Sequence, residues 1–340
     1  MSNVSVTPSR AELAALPEDV LSTPLEAFCE AGRFTGCYRG PERGHVEETF
    51  ERNLARLYSQ PETPRLSGIQ IKAPMSLLAD GTLLPAVNRA FTHVLKPAGT
   101  AGFETLPVVE WLCLELGRAG GFEVPSATLV EMPDDMPPAL LVERFDIRRG
   151  PEDRRRLALE DFCSVLDMPA SAKYDSTIER VARHLRPLST DPVADLGLLF
   201  RRAAFAWLIA DGDMHLKNVA LLRTADARAK TFASVRLAPL YDAVTTRVFP
   251  GLAGDRMALK LNGEDDRLRL RDFLTTARTI GLRGSEARTA LVDLVVRLSR
   301  GAATLELPVF AQRSEAARTV RDQVSGIVGK RSAALMQDLF

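Results

Sequence analysis

The 340-residue chain is 46% hydrophobic and 26% charged, and its 44 Lys and Arg balance 44 Asp and Glu. It is long enough for two lobes with a sizeable core, and it has no global field pointing to nucleic acid or an anionic membrane. No apolar run reaches the ~18 residues a spanning helix needs. The N-terminus lacks the basic start and apolar block of a signal peptide, and the four cysteines, Cys29, Cys37, Cys113 and Cys163, form no CxxC pair. Two or three of them read as small core residues, so a cytoplasmic, reducing setting without a membrane is expected.

Residues 1–60 read as short helical pieces punctuated by Pro and Gly. From Leu66 the texture changes. "LSGIQIKAPMSLLADGTLLP" alternates apolar residues around an "ADG" turn and predicts a β-hairpin. "AFTHVLKPAG" is a strand ended by Pro97 and Gly99. "LPVVEWLCLELGRAGG" is a helix stopped at Gly120-Gly121. "VPSATLVEM" and "PPALLVERFDI" are two further strands. An Arg-rich patch, "RRGPEDRRRL", follows at 148–157.

From Leu159 the pattern turns helical, beginning with "ALEDFCSVLDM". "DPVADLGLLFRRAAFAWLIADG" is the clearest helix, with Leu196, Leu199, Phe200, Ala203 and Trp207 on one face. "GSEARTALVDLVVRLSR" is another near the end. The fold class is therefore α+β: a two-lobed, protein-kinase-like arrangement with a β-rich N-lobe and a mostly helical C-lobe. A short extension would cover 1–60, the N-lobe 61–150 and the C-lobe 151–340. Such lobes hold a nucleotide in the cleft between them.

The polar chemistry concentrates in "IADGDMHLKNVALL" (209–222), where Asp211, Asp213, His215, Lys217 and Asn218 interrupt two apolar runs. Asp213 and Asn218 lie five residues apart on a loop after the Trp207 helix. Asp242 follows in "LAPLYD", after "VALL" and "VRLAPL", which could pair as a hairpin. Phosphoryl transfer needs such a set. One carboxylate, Asp213, accepts the proton of the attacking hydroxyl. An amide oxygen, Asn218, and a second carboxylate, Asp242, hold Mg²⁺, a hard cation suited to oxygen ligands. Lys217 could contact phosphate or steady the substrate hydroxyl. Asp211 reads as ordering the loop. Only four histidines exist and none is ligand-spaced from His215, so His215 reads as a structural residue bonded to the loop backbone, not a metal ligand. Lys96 sits mid-strand among apolar residues, where a charge must find a partner; phosphate plus Glu110 is the natural one.

"DMHLKN" (213–218) followed by "LAPLYD" (237–242) resembles the HipA family of bacterial serine/threonine kinases, the toxins of HipBA-type toxin–antitoxin systems. Further matches lie upstream in order. "SGIQIKAPMSLL" is similar to the family's phosphate loop, with Ser67 beside Gly68, Gln70 and Lys72. "THVLKP" is similar to the strand bearing the nucleotide-binding lysine, Lys96. "VEWLCLELGRAGGFEVP" resembles the Asn-Glu helix, with Glu110 kept and Val109 in place of Asn. "LLVERFDI" matches the hinge, where backbone groups at Glu143 and Phe145 would bond adenine. "LEDFCSVLDMPASAKYD" resembles the segment before a Lys-Tyr pair. The resemblance covers about residues 60–250.

What the resemblance implies is an ATP- and Mg²⁺-dependent kinase that phosphorylates an aminoacyl-tRNA synthetase and stalls translation. His215 falls within its nucleotide-binding stretch. The implied partners are a helix-turn-helix antitoxin, through which alone DNA would be reached, and a small third protein. The latter follows because only about 60 residues precede the loop, as in the short HipT-type toxins, whose missing N-terminal β-domain is a separate chain. Many members bear an autophosphorylated serine where Arg65 stands here. Ser67 aligns with a second serine of the short toxins and is the candidate autophosphorylation site. The residues alone also admit a small-molecule or phosphoinositide-type kinase, or an ATP-binding pseudokinase whose role is assembly.

Overall fold

The computed structural model describes residues 23–58, 70–150, 153–225 and 231–339. Arg65, Ser67 and Gly68 lie outside them. The β-rich lobe is an eight-stranded sheet made of β1 (Cys29–Glu30), β2 (Arg33–Phe34), β3 (Cys37–Tyr38), β4 (Ala73–Leu77), β5 (Thr82–Pro85), β6 (His93–Lys96), β7 (Ala127–Val130) and β8 (Ala139–Glu143). Their order is β1-β2-β7-β8-β6-β4-β5-β3. Neighbours are antiparallel except β2 with β7 and β3 with β5. The expected hairpin is β4–β5, with Leu77 opposite Leu83 and Gly81 at φ 83° in its turn.

The first sixty residues differ from the sequence reading. Three two-residue strands replace the expected helical pieces between 29 and 38, and they belong to the sheet; among the described residues a short 3-10 helix (Leu25–Phe28) and helix α1 (Arg43–Tyr58) are of the expected kind. A two-residue strand is too short to carry a readable alternation, so sheet pairing alone defines it.

Strand alternation sorts the side chains of this sheet. Leu95, Val130, Ala139 and Leu141 enter one apolar cluster with Met75 and Leu77. Leu129 and Leu140 face the other way, into the main core under helix α2 (Leu106–Ala119). Lys96, next to Leu95, is thereby aimed at α2 and the cleft. Helix α2 lies between the sheet and the helices beyond it and is buried along most of its length, including Glu110. Gly121, at φ 78°, ends the helix region in the left-handed conformation a side chain disfavours.

Beyond the sheet come the hairpin β9 (Ile147–Gly150) and β10 (Asp153–Arg156), strand β11 (Ala158–Asp161) and a one-turn helix α3 (Phe162–Val165). Here a second reading is corrected. Residues 158–161, expected to open a helix, pair with β12 (Ala220–Thr224) from Ala158–Arg223 to Asp161–Ala220. The ladder overrides a weak helical propensity, and Asp161 then caps α3 by accepting from the Ser164 N–H at 3.0 Å. Strand β13 (Ser234–Leu237) completes the predicted hairpin with β12.

The helical lobe holds α4 (Ile178–Leu188), α5 (Pro192–Leu208), α6 (Leu270–Thr279), α7 (Gly284–Ala303) and α8 (Glu315–Leu339). In α5, Asp191 caps the start, accepting from the Ala194 N–H, and Pro192 takes the first turn. The predicted stripe from Leu196 to Trp207 is buried, and the Trp207 indole donates to the Asp266 carbonyl at 2.6 Å. The chain thus adopts the two-lobed α+β fold. Among the described residues no helix is long and apolar enough to cross a membrane.

Candidate active site

Helix α5 runs its apolar face into the core and stops at Ile209. Ala210, at φ 55°, turns the chain sharply into the 211–218 loop. Asp211 is buried, and its Oδ1 accepts the Asp213 N–H at 2.8 Å, which makes it the loop-ordering residue the sequence suggested. The Asn218 amide donates to the Asp213 carbonyl at 2.9 Å. That bond commits Nδ2 inside the loop and leaves the amide oxygen available to the cavity. The β12–β13 return, fastened by Ala238 N–H to the Ala220 carbonyl at 2.9 Å, delivers Asp242 beside this loop. Asp242 has φ 51°, a conformation costly for a non-glycine residue and frequent at functional positions.

One cavity of about 400 Å³ brings Gln70, Lys72, Asp213, His215, Lys217, Asn218 and Asp242 together, with Lys173 on its wall. Asp213 receives the Tyr174 hydroxyl on Oδ1 at 2.7 Å. Burial pushes its carboxyl up to about 7, against the pull of that hydrogen bond and of Lys173. His215 is also buried, its ring edge-on to Tyr174 at 5.1 Å. Burial, with Lys173 adding to it, takes His215 down to about 3, so its imidazole is neutral at physiological pH. Lys217 is half-exposed and donates to Asp161 at 2.6 Å, at the rim and not the centre of the cavity.

Asp242 is held differently. Lys72 donates to its Oδ2 at 2.7 Å and Lys96 to its Oδ1. Lys96 also donates to Glu110, whose other oxygen accepts from Gln70 at 2.9 Å. Burial opposes charge on Asp242, yet the two ammonium groups outweigh it and hold the carboxyl far below the usual range. Burial likewise opposes charge on Lys96, and Asp242 with Glu110 keeps it protonated. The partner demanded by a charge in mid-strand is thus Glu110, as expected, joined by Asp242.

Lys72 and Asp242 also line a second cavity, of about 260 Å³, under the hinge. Its walls are apolar: Val94, Leu114, Val142, Phe145 and Tyr241, with Lys96 at the inner end. The Phe145 and Tyr241 rings lie 5.4 Å apart. The Glu143 carboxylate accepts the Leu25 N–H at 2.7 Å, and its backbone N–H donates to the Ser126 carbonyl at 2.8 Å. Arg144 forks onto Asp146 at 2.9 and 2.6 Å and covers Phe91. A flat apolar slot ending in ammonium groups and a hard-oxygen pair suits a purine nucleotide. Among the described residues no three His, Cys, Asp or Glu cluster as a self-sufficient metal site. Asp242 and Asn218 fit instead a cation that takes its remaining ligands from phosphates and water.

The HipA-like C-terminal domain family model matches residues 65–302, more than half of the chain. The chain belongs to that family. It is 31% identical over 201 residues to the Sinorhizobium fredii protein named "Putative kinase Y4mE", covering 58% of this chain and 45% of that one. A second protein of that organism, "Putative kinase Y4dM", is 29% identical over 206 residues, covering 57% and 47%. The matched part therefore spans about half the length of these curated relatives. Among solved structures, the Shewanella oneidensis MR-1 HipA, in complex with HipB and operator DNA, matches with TM-score 0.67 and 18% identity, over 85% of this chain and 71% of that one. The HipA fold is what this likeness establishes.

The cleft thus gathers every sequence-derived site residue that the described residues include. Sequence reasoning gave no role to Tyr174, Lys173 or Tyr241. Tyr174 stood in the quoted "SAKYD" stretch, but 39 residues separate it from Asp213 and no spacing rule joins them.

Proposed function

We propose that the chain is an ATP-dependent serine/threonine protein kinase acting as the toxin of a bacterial toxin–antitoxin system, with an aminoacyl-tRNA synthetase as target. The observation that carries the reading is the pair of joined cavities: an apolar slot under the hinge opens through Lys72 and Asp242 onto a chamber that holds Asp213. Adenine would lie against Phe145 and Tyr241. Lys96 would hold phosphate, and half-exposed Lys72 would exchange Asp242 for phosphate oxygen. Asp242 and Asn218 would hold Mg²⁺, which when bound supplies charge neutralisation at the phosphates. Asp213 takes the proton of the serine hydroxyl at one carboxylate oxygen while Tyr174 steadies the other end of the group. His215, neutral and buried, maintains the loop. Lys217 at the rim meets the incoming hydroxyl or the transferred phosphoryl group.

The helix-turn-helix antitoxin, a small third protein and autophosphorylation at Ser67 belong to the same reading; the HipA relative's complex with HipB and DNA supports the first of them. Transfer of labelled γ-phosphate to purified synthetases, beside lipid and aminoglycoside panels, tests it. Labelling of a synthetase serine that disappears in Asp213→Asn is the expected result. Labelling of the small molecules alone would overturn it.

A further inference from the structure

Outside both parts of the nucleotide cleft lies a groove of about 970 Å³ between the 174–180 segment and the 251–260 loop. Its floor is rigid: Thr177 and Lys260 form a β-bridge, and the Ile178 N–H donates to the Lys260 carbonyl at 2.9 Å. Both walls touch the catalytic loop. Tyr174 on one wall donates to Asp213. Asp255 on the other backs onto Gly212, where an added Cβ would fall 1.9 Å from Asp255 Oδ2. The groove thus meets the loop of the base through two of its lining residues, Tyr174 at Asp213 and Asp255 at Gly212.

The charge of the lining is ordered. Asp175 and Asp255 lie next to Tyr174 and Gly212, at the catalytic end. Arg180 and Arg183, three apart on α4 and so on one face, lie further along, opposite the buried Ile178–Val181–Leu185 stripe. A smaller cavity of about 160 Å³ continues past Arg183 to Arg186 and extends the basic end. Arg256 is paired with Asp265 at 3.3 Å, Glu179 accepts the Asn262 N–H and the Thr276 hydroxyl, and Lys260, bridged to Thr177, stands between the two ends. Ser176, in the wall, is buried and its Oγ has no hydrogen-bond partner in the protein. The four carboxylates of the lining, Asp175, Glu179, Asp255 and Asp265, balance its four cations, Arg180, Arg183, Arg256 and Lys260, so a phosphodiester strand would find no net positive field here. A polypeptide of mixed charge meets a complement at each end.

We infer that this groove receives an extended segment of the protein substrate and reads its charge, favouring cationic residues beside the acceptor hydroxyl and acidic residues further along. The inference rests on the kinase reading of Asp213, so its test measures binding apart from transfer. Fluorescence anisotropy of serine-centred peptides on the full chain, without nucleotide, compares peptides of the stated charge order with their charge-swapped permutations; γ-phosphate transfer to the same peptides runs in parallel. The favoured order binds at least about tenfold more tightly, a difference of about 1.4 kcal/mol. The double variant Arg180→Glu, Arg183→Glu reverses the distal preference, and Asp175→Lys alone reverses the proximal one; fluorescent-nucleotide binding verifies that each variant is folded. Equal binding of both permutations, or an unchanged preference in folded variants, overturns the inference. So does an oligonucleotide that displaces the best peptide at lower concentration than a competing peptide does. Charge-ordered binding with no transfer at any pH upholds the groove and removes the kinase reading instead.

Discussion

Asp213 and Asp242 line the same chamber, yet their surroundings drive them apart. Asp242 takes an ammonium group on each oxygen, and these hold its carboxyl far below the usual carboxylate range. Asp213 takes a single neutral hydroxyl, and burial lifts it to about 7. Two carboxylates split in this way are suited to two tasks. The depressed carboxylate anchors cations, whether the lysines or a divalent ion. The elevated carboxylate can collect and release a proton near neutral pH, where general-base catalysis is most efficient. Backbone placement follows the same division: Asp242 is fixed at a strained φ by the β-return, whereas Asp213 is held by a loop tied through Asp211 and Asn218.

The contrast predicts graded effects. Removing the base should cost most: Asp213→Asn loses ~10²–10⁴-fold in transfer rate, the usual worth of a positioned base, while equilibrium nucleotide binding is retained; single-turnover kinetics and calorimetry measure the two. Asp242→Ala should weaken Mg·ATP by more than about tenfold, while metal-free nucleotide holds or tightens as Lys72 and Lys96 are released. Calorimetry with and without Mg²⁺ separates the two, and equal weakening of both would make Asp242 merely structural. Tyr174→Phe sharpens the comparison more gently. It deletes a hydrogen bond to the anionic form, so the Asp213 pKa rises further and the acid limb of the rate profile moves to higher pH, by on the order of one unit. An unmoved limb would deny Tyr174 any hold on the base. Smallest is Lys217→Met: the half-exposed pair with Asp161 should contribute less than about 1 kcal/mol to stability in urea unfolding.

Much of this was legible in the sequence because function needs close spacing. The Asp213–Asn218 interval, the hairpin that returns Asp242, and the Lys96–Glu110 partnership follow from short-range order plus the need to neutralise a buried charge. Periodicity found α2, α5 and α7 because each carries enough turns to show a face. The unread parts are those made by distant pairing. Strands β1–β3 are two residues each, β11 exists through its ladder with β12, and Tyr174 meets Asp213 only because the 170s segment folds across the loop. Nor could sequence say that Glu143 would turn its carboxylate to Leu25, since the Leu25 N–H it satisfies lies 118 residues away.

The opposed titration of the two carboxylates is tested most directly by carbon-13 NMR of protein labelled at the Asp carboxyls, with Asp213→Asn and Asp242→Asn as assignment controls. Asp211, also raised by burial and by the charge of Asp213, keeps a resonance in both variants and is told apart by that. The account predicts a resonance titrating near pH 7 that vanishes in Asp213→Asn, and one that does not titrate down to the acid limit of the fold and vanishes in Asp242→Asn. An Asp213 resonance titrating near 4, in the ordinary carboxyl range, would contradict it.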